Sequence, residues 1–155
     1  MRRQIDRWRR CPGVALLAVL LAMSSACPAQ SNKATDVKSV VEAFYGAISA
    51  GNADAAMALI APDAIFAESG NIENYDQYKK NHLPRDIEYE SEVKGERGPL
   101  KITEEGNAAW VISTTKYDET AQGNPDLYII TQLMVLTRGA DGWRIRSISW
   151  SSNQP

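Results

Sequence analysis

The 155-residue chain has one histidine, His82, and two cysteines, Cys11 and Cys27. A single histidine rules out the multi-histidine sets on which many transition-metal sites depend. Cys11 lies in an N-terminal segment with the pattern of a leader. The remainder keeps at most Cys27, so no intrachain disulfide is expected and the core alone holds the fold. Apolar runs are short: VALLAVLLAM, residues 14–23, has ten residues, against the ~20 needed to span a bilayer. No P-loop, dinucleotide fingerprint, Ser-His-Asp set or zinc-finger spacing occurs. Nor is there an internal repeat or a low-complexity tract. Positive charge is also scarce beyond the leader. The first 29 residues hold five of the 17 Lys and Arg and one of the 19 Asp and Glu, leaving 12 against 18, net −6. A nucleic-acid partner would need a basic patch, and none is expected.

What is present begins with that leader. MRRQIDRWRR carries five arginines, the ten-residue apolar run follows, and SSACPAQS supplies small residues. Basic, apolar, small is the order of a secretory signal peptide, expected over residues 1–29. Cleavage after Ala26 or Ala29 fits the small flanking residues. Lipoprotein processing, with the signal ending at Ala26 and lipid on Cys27, is the other reading. SSAC then serves as a lipobox, although Ser24 stands where leucine is usual. The product is expected to be exported, periplasmic or secreted, and to touch a membrane only through such an anchor.

A short polar linker, 30–35, precedes a single domain expected over 36–152. Val37, Val40, Val41, Phe44, Tyr45 and Ile48 recur at helical spacing. Thr35 is a candidate cap, and Gly51 a left-handed stop. NADAAMALIAPDA reads as a second helix, capped by Asn52 and ended by Pro62. AIFAES reads as a strand, and NYDQYKKNHLP as a third helix closed by Pro84. From there the period changes to two. Ile87, Tyr89, Ser91 and Val93 alternate with charged residues, and PLKITEEGN, AAWVISTTKYDE, LYIITQLMVLTR and WRIRSISWSS follow. Gly, Asn and Asp turns separate these runs, with TAQGNPD a longer loop. The expectation is an α+β fold, its N-terminal helices on one face of a curved antiparallel sheet of five to six strands.

Three stretches carry a resemblance. VVEAFYGAISAGNADAAMALIAPDAIF resembles the opening of nuclear transport factor 2-like domains of the SnoaL-like kind. GADGWRIRSISWSS resembles their last strand. AES…Y…NHLP resembles a secreted bacterial subgroup. Together they cover residues 36–152. The resemblance implies a cone, a bent sheet wrapped around a helix, with a pocket at its open end. It also implies dimerisation through the sheet. Functions on this fold range from isomerases and cyclases to non-catalytic binding and assembly domains, so the fold alone assigns none. In the subgroup, histidines would stand at Asn81, Ser147 and Ser149. Here only His82 remains, so no metal and no cofactor are expected.

The candidate catalytic pair is His82 and Glu68. Histidine, with an ordinary pKa of ~6.5, suits proton transfer, and Glu68 or Asp86 could orient it. Expected pocket-lining residues are Tyr45, Tyr75, Tyr89 and Tyr117, with Ser147 and Ser149 of the last strand. Alternatively, His82 is only the cap of the third helix, bound to its free carbonyls beside Pro84. The leading reading is a non-catalytic module that binds a small apolar or amphipathic ligand. A proton-transfer enzyme of isomerase or dehydratase type, and a structural dimeric envelope domain, are the alternatives.

Overall fold

The computed structural model describes residues 36–118 and 127–153. The expected signal peptide, the linker, Cys27, Thr35 and the TAQGNPD loop lie outside the described residues. The first helix, α1, spans Val37–Ser49 and buries the predicted stripe, with Ala47 added. Its cap is Asp36, whose Oδ1 accepts from the Ser39 N–H at 2.8 Å. That satisfies one of the donors every helix start leaves free. Gly51, at φ 70°, ends the helix. The Gly51 N–H donates to Ile48 O and the Asn52 N–H to Ala47 O, the paired bonds of a Schellman stop. Asn52 then caps α2, Ala53–Met57, through its side chain to the Ala55 N–H at 3.0 Å.

The expected end of α2 at Pro62 is corrected. The helix stops at Met57, and β1, Ile60–Glu68, runs through the proline. Pro62 falls in the irregular gap between Ile60 and Ile65, where the pairing of β1 shifts register. A residue without an N–H is tolerated where no ladder bond is required.

A hairpin leads into β2, Asn71–Asn74. Then come α3, Tyr75–Gln77, a wide π-turn, Tyr78–His82, and α4, Leu83–Glu92. Asn74 and Gln77 form a reciprocal capping box at the start. Two expectations fail here. Pro84 does not close the helix, and residues 87–93 are not a strand. Proline inside a helix lacks its N–H and collides with the carbonyl four residues back. The wide turn accommodates that defect, as the Leu83 N–H reaches back to Tyr78 O. Pro84 therefore sits in the first turn of α4, where it is tolerated. Leu83, Asp86, Ile87, Glu90 and Val93 make the inward stripe at helical spacing. Two of its members are carboxylates, which hid the stripe behind the alternation.

Strands β3 (Glu96–Arg97), β4 (Lys101–Glu105), β5 (Ala108–Asp118), β6 (Leu127–Gly139) and β7 (Gly142–Asn153) complete a seven-stranded sheet. Its order is β2-β1-β7-β6-β5-β3, with β4 also on β5. The sheet is mixed, not wholly antiparallel, because β1 pairs with β7 in parallel. The fold is α+β. On its inner face β5 passes from Ala109 and Val111 to Ser113, Thr115 and Tyr117, all buried. Along β6 the buried residues are Leu136, Met134 and Gln132. One end of the concave face is therefore apolar core against α1, and the other end turns polar.

Candidate functional site

The polar end encloses a cavity of about 80 Å³. Phe44, Tyr45 and Ile48 of α1 form one wall, and Ile130, Gln132 and Trp150 of the sheet another. Tyr89 and Tyr117, with ring centres 5.0 Å apart, close a side. Two groups of charged residues lie at its margins.

The first is centred on His82, whose side chain is 11% exposed. Nδ1 lies 2.6 Å from Glu73 Oε2, and Nε2 lies 3.3 Å from both Glu68 Oε2 and Asp86 Oδ1. Burial by itself would lower the pKa of His82. The hydrogen bond and charge of Asp86, the hydrogen bond of Glu73 and the charge of Glu68 outweigh it, raising the pKa from 6.5 to about 9. At neutral pH the ring is an imidazolium with both N–H groups directed at carboxylates. It packs 5.0 Å from the Trp150 ring, within cation–π range. Asp86 also accepts from Tyr78 Oη at 3.1 Å. Tyr78 is fully buried and stacks on Phe66 at 3.9 Å. Burial, then the nearby carboxylates, drives the Tyr78 pKa well up, so its hydroxyl stays protonated.

The second group surrounds Glu90, a carboxylate only 8% exposed. Its Oε1 accepts from Arg97 Nη2 at 2.9 Å and Ser49 Oγ at 3.0 Å, and its Oε2 from Tyr117 Oη at 3.4 Å. A buried charge persists when it is paired and hydrogen-bonded. The Arg97 guanidinium lies 3.8 Å above the Tyr45 ring. Tyr45 Oη donates to Gln132 Oε1 and meets Ser113 Oγ at 3.2 Å. Burial raises the pKa of Tyr45, and burial with the Glu90 charge raises that of Tyr117. Both remain neutral hydroxyls.

The structure thus brings His82, Glu68, Tyr45, Tyr89 and Tyr117 to one cavity. Three expected lining residues do not reach it. Tyr75 packs partly buried against the core from α3. Ser147 and Ser149 face outward because β7 bulges. Leu136 pairs with Ile145 and Val135 with Ser147, so Arg146 is an extra residue. One extra residue shifts the alternation, handing the inner face from Trp143 and Ile145 to Ile148 and Trp150. The helix-capping role for His82 is also displaced, since the ring nitrogens meet side-chain carboxylates rather than helix carbonyls. Sequence reasoning missed Glu73, Glu90, Arg97, Gln132 and Trp150. Gln132 alone carried a signal, as a polar residue in the inward register of Ile130, Met134 and Leu136.

The sequence profile of the SnoaL-like domain matches residues 37–154. The chain belongs to the SnoaL-like domain family. No curated protein matches it by sequence. Solved structures agree in fold. A provisionally named ketosteroid isomerase from Shewanella frigidimarina superposes with TM-score 0.68 at 24% identity, over 78% of this chain and 96% of the other. A provisionally named dehydratase of the nuclear transport factor 2-like family from Streptomyces avermitilis gives 0.63 at 15% identity, over 77% and 94%. A provisionally named association domain of calcium/calmodulin-dependent protein kinase type II from Thiobacillus denitrificans gives 0.65 at 16%, over 77% and 97%. At these identities the likeness is one of fold, the nuclear transport factor 2-like cone.

Proposed function

We propose that this SnoaL-like domain is a non-catalytic module, exported and of the secreted bacterial subgroup, that holds a small, partly apolar molecule in its cavity. The observation that carries the reading is the engagement of His82. The only histidine offers no lone pair at neutral pH, and the carboxylates that reach the cavity beside it, Glu68 and Asp86, share its charge. A general base must be free to take a proton. Aromatic walls with a few fixed polar groups are what a binding site requires. Native mass spectrometry of protein purified from its own host should show a retained small molecule. Proton exchange at the α-carbon of small ketones, followed by NMR, should not exceed the buffer rate. Exchange well above that rate, lost in Asp86→Asn or His82→Ala with stability intact, would make the protein a proton-transfer enzyme instead. Export rests on the basic, apolar, small order of residues 1–29. The mass of the mature protein distinguishes cleavage after Ala26 or Ala29 from lipid on Cys27.

A second reading, self-association through the sheet, is favoured by one row of paired residues on the outer face. Ile72, Ala67, Ser149, Leu133 and Ile112 stand side by side across five strands. Ile72 is 74% exposed, Ile112 41% and Leu133 40%. Leu133 and Ile112 are adjacent, and Ile72 lies beyond the smaller Ala67 and Ser149; exposed aliphatic groups grouped on one face mark a contact surface. The association-domain likeness agrees with assembly through this fold.

A further inference from the structure

His82 and Glu68 line two spaces. One is the cavity, and the other is an outer groove of about 440 Å³ with Ser69, Ile72, Glu73 and Arg85 also in its walls. The ring spans the partition between them. Its Nε2 meets Glu68 and Asp86, which line the cavity, and its Nδ1 meets Glu73, which lines the groove. A passage from one space to the other runs past this ring.

The element on the groove side is lightly held. β2 is an edge strand, paired with β1 alone. Three of its four residues are exposed, and Glu73 is the one that is not. The turn that leads into it, Ser69–Gly70, has φ values of 49° and 81°. Both are left-handed, which is unfavourable for a residue with a Cβ such as Ser69. Short hairpins that bury little apolar surface open at low free energy. The bond of Glu73 Oε2 to His82 Nδ1, 2.6 Å long, ties β2 inward.

That tie depends on charge. The titratable groups facing the ring are Glu68 from β1, Glu73 from β2, Asp86 from α4 and Tyr78 from its own turn. Arg85 shares the groove, and β7 contributes the Trp150 ring. One imidazolium thus holds three carboxylates together. Without its proton they repel one another. β1 is flanked on both sides within the sheet and α4 packs on α1, so β2 is the element free to move.

We propose that His82 latches the β1–β2 hairpin over the passage between cavity and groove, and that release of the His82–Glu73 bond lets β2 lift away and joins the two spaces. The latch governs access, whatever the cavity holds, so its test uses no ligand and stands apart from the binding reading. Hydrogen exchange at pH 7, read by mass spectrometry, compares the parent protein with Glu73→Ala. Residues 69–75 should exchange about tenfold faster in the variant, the effect of losing one charge-assisted bond, while β5 and β6 stay unchanged. Thr115, 5% exposed, lines the cavity. Thr115→Cys therefore places a thiol there, and its alkylation by iodoacetamide, located by peptide mass, should also quicken about tenfold when Glu73→Ala is added. In the parent protein, exchange at residues 69–75, corrected for base catalysis, should rise as pH passes about 9. Unchanged exchange at residues 69–75 in Glu73→Ala would overturn the latch. So would faster exchange throughout the sheet, which would make the bond a general support. Faster exchange with unchanged alkylation would overturn the passage. If Glu73→Ala does not fold, the pH series on the parent protein decides: corrected exchange that stays flat from pH 7 to 10 would overturn the latch.

Discussion

His82 Nδ1 lies 2.6 Å from Glu73 Oε2, tying the π-turn to strand β2. The same ring reaches Glu68 on β1 and Asp86 on α4. A cation at the junction of three elements makes stability depend on its charge. The folded-state pKa, about 9, exceeds the ordinary 6.5. The folded state therefore holds this proton more tightly than the unfolded chain. The stabilisation is complete below pH 6.5 and lost as pH rises through 9. With the carboxylates part-exposed, we expect about 2 kcal/mol to disappear across that window. Thermal melts from pH 6 to 10 measure the loss, and imidazole NMR follows the titration itself. Glu73→Gln should shift the His82 titration down toward 6.5. A His82 titration near 6.5 in the parent protein would contradict the triple engagement.

Two glycines in different surroundings predict opposite outcomes. A methyl group at Gly95 would lie 2.7 Å from the Tyr117 ring and closer still to Thr115. Both neighbours belong to the cavity wall and are packed. Gly95→Ala should cost about 1–3 kcal/mol through overpacking. Gly46, exposed within α1, has nothing within 4 Å of that position. Gly46→Ala should stabilise by roughly 0.5–1 kcal/mol, because alanine loses less backbone entropy in a helix. Urea denaturation of both variants is the check. A neutral Gly95→Ala would mean that Tyr117 is free to move.

Leu133→Lys bears on assembly. Leu133 stands between Ser149 and Ile112 in the outer row, is 40% exposed and does not line the cavity. A lysine there should abolish self-association through desolvation and like-charge repulsion across a two-fold interface. The melting temperature of the isolated subunit should change little. Size-exclusion chromatography with light scattering is the measurement. A dimer that survives Leu133→Lys uses another face.

The elements that the sequence made legible are those with a uniform inward pattern. Helix α1 showed Val37, Val40, Val41, Phe44 and Ile48 at one spacing. Strands β5 to β7 showed alternation between turn residues, and the Gly51 stop had its own chemistry. The α4 stripe was hidden because Asp86 and Glu90 face inward, and inward carboxylates read as solvent positions until their partners are known. Glu90 depends on Arg97, Ser49 and Tyr117, which are scattered along the chain and meet only in the folded state. The candidate site was half legible for the same reason. His82 and Glu68 were marked by residue type, whereas Glu73 and Gln132 gain their meaning from geometry.

The bulge at Arg146 misplaced Ser147 and Ser149, and it makes a register prediction. Deleting Arg146 leaves Ile145 followed by Ser147 and Ile148, so the inward set stays in phase. The deletion removes only exposed interactions: the Arg146 Nε hydrogen bond to Thr137 Oγ1 at 2.7 Å and a pairing with Asp63. Such pairs contribute about 0–1 kcal/mol. Deleting Ser149 instead moves Trp150 to the outer face. That removes the ring packed on His82 at 5.0 Å and the lining opposite Gln132. A one-residue slip exchanges the faces of all that follows, and loss of a large aromatic wall costs about 3–5 kcal/mol. The Arg146 deletion should therefore melt near the parent protein, while the Ser149 deletion should melt far lower. Equal melting temperatures for the two deletions would refute the bulge as the device that points Trp150 into the cavity.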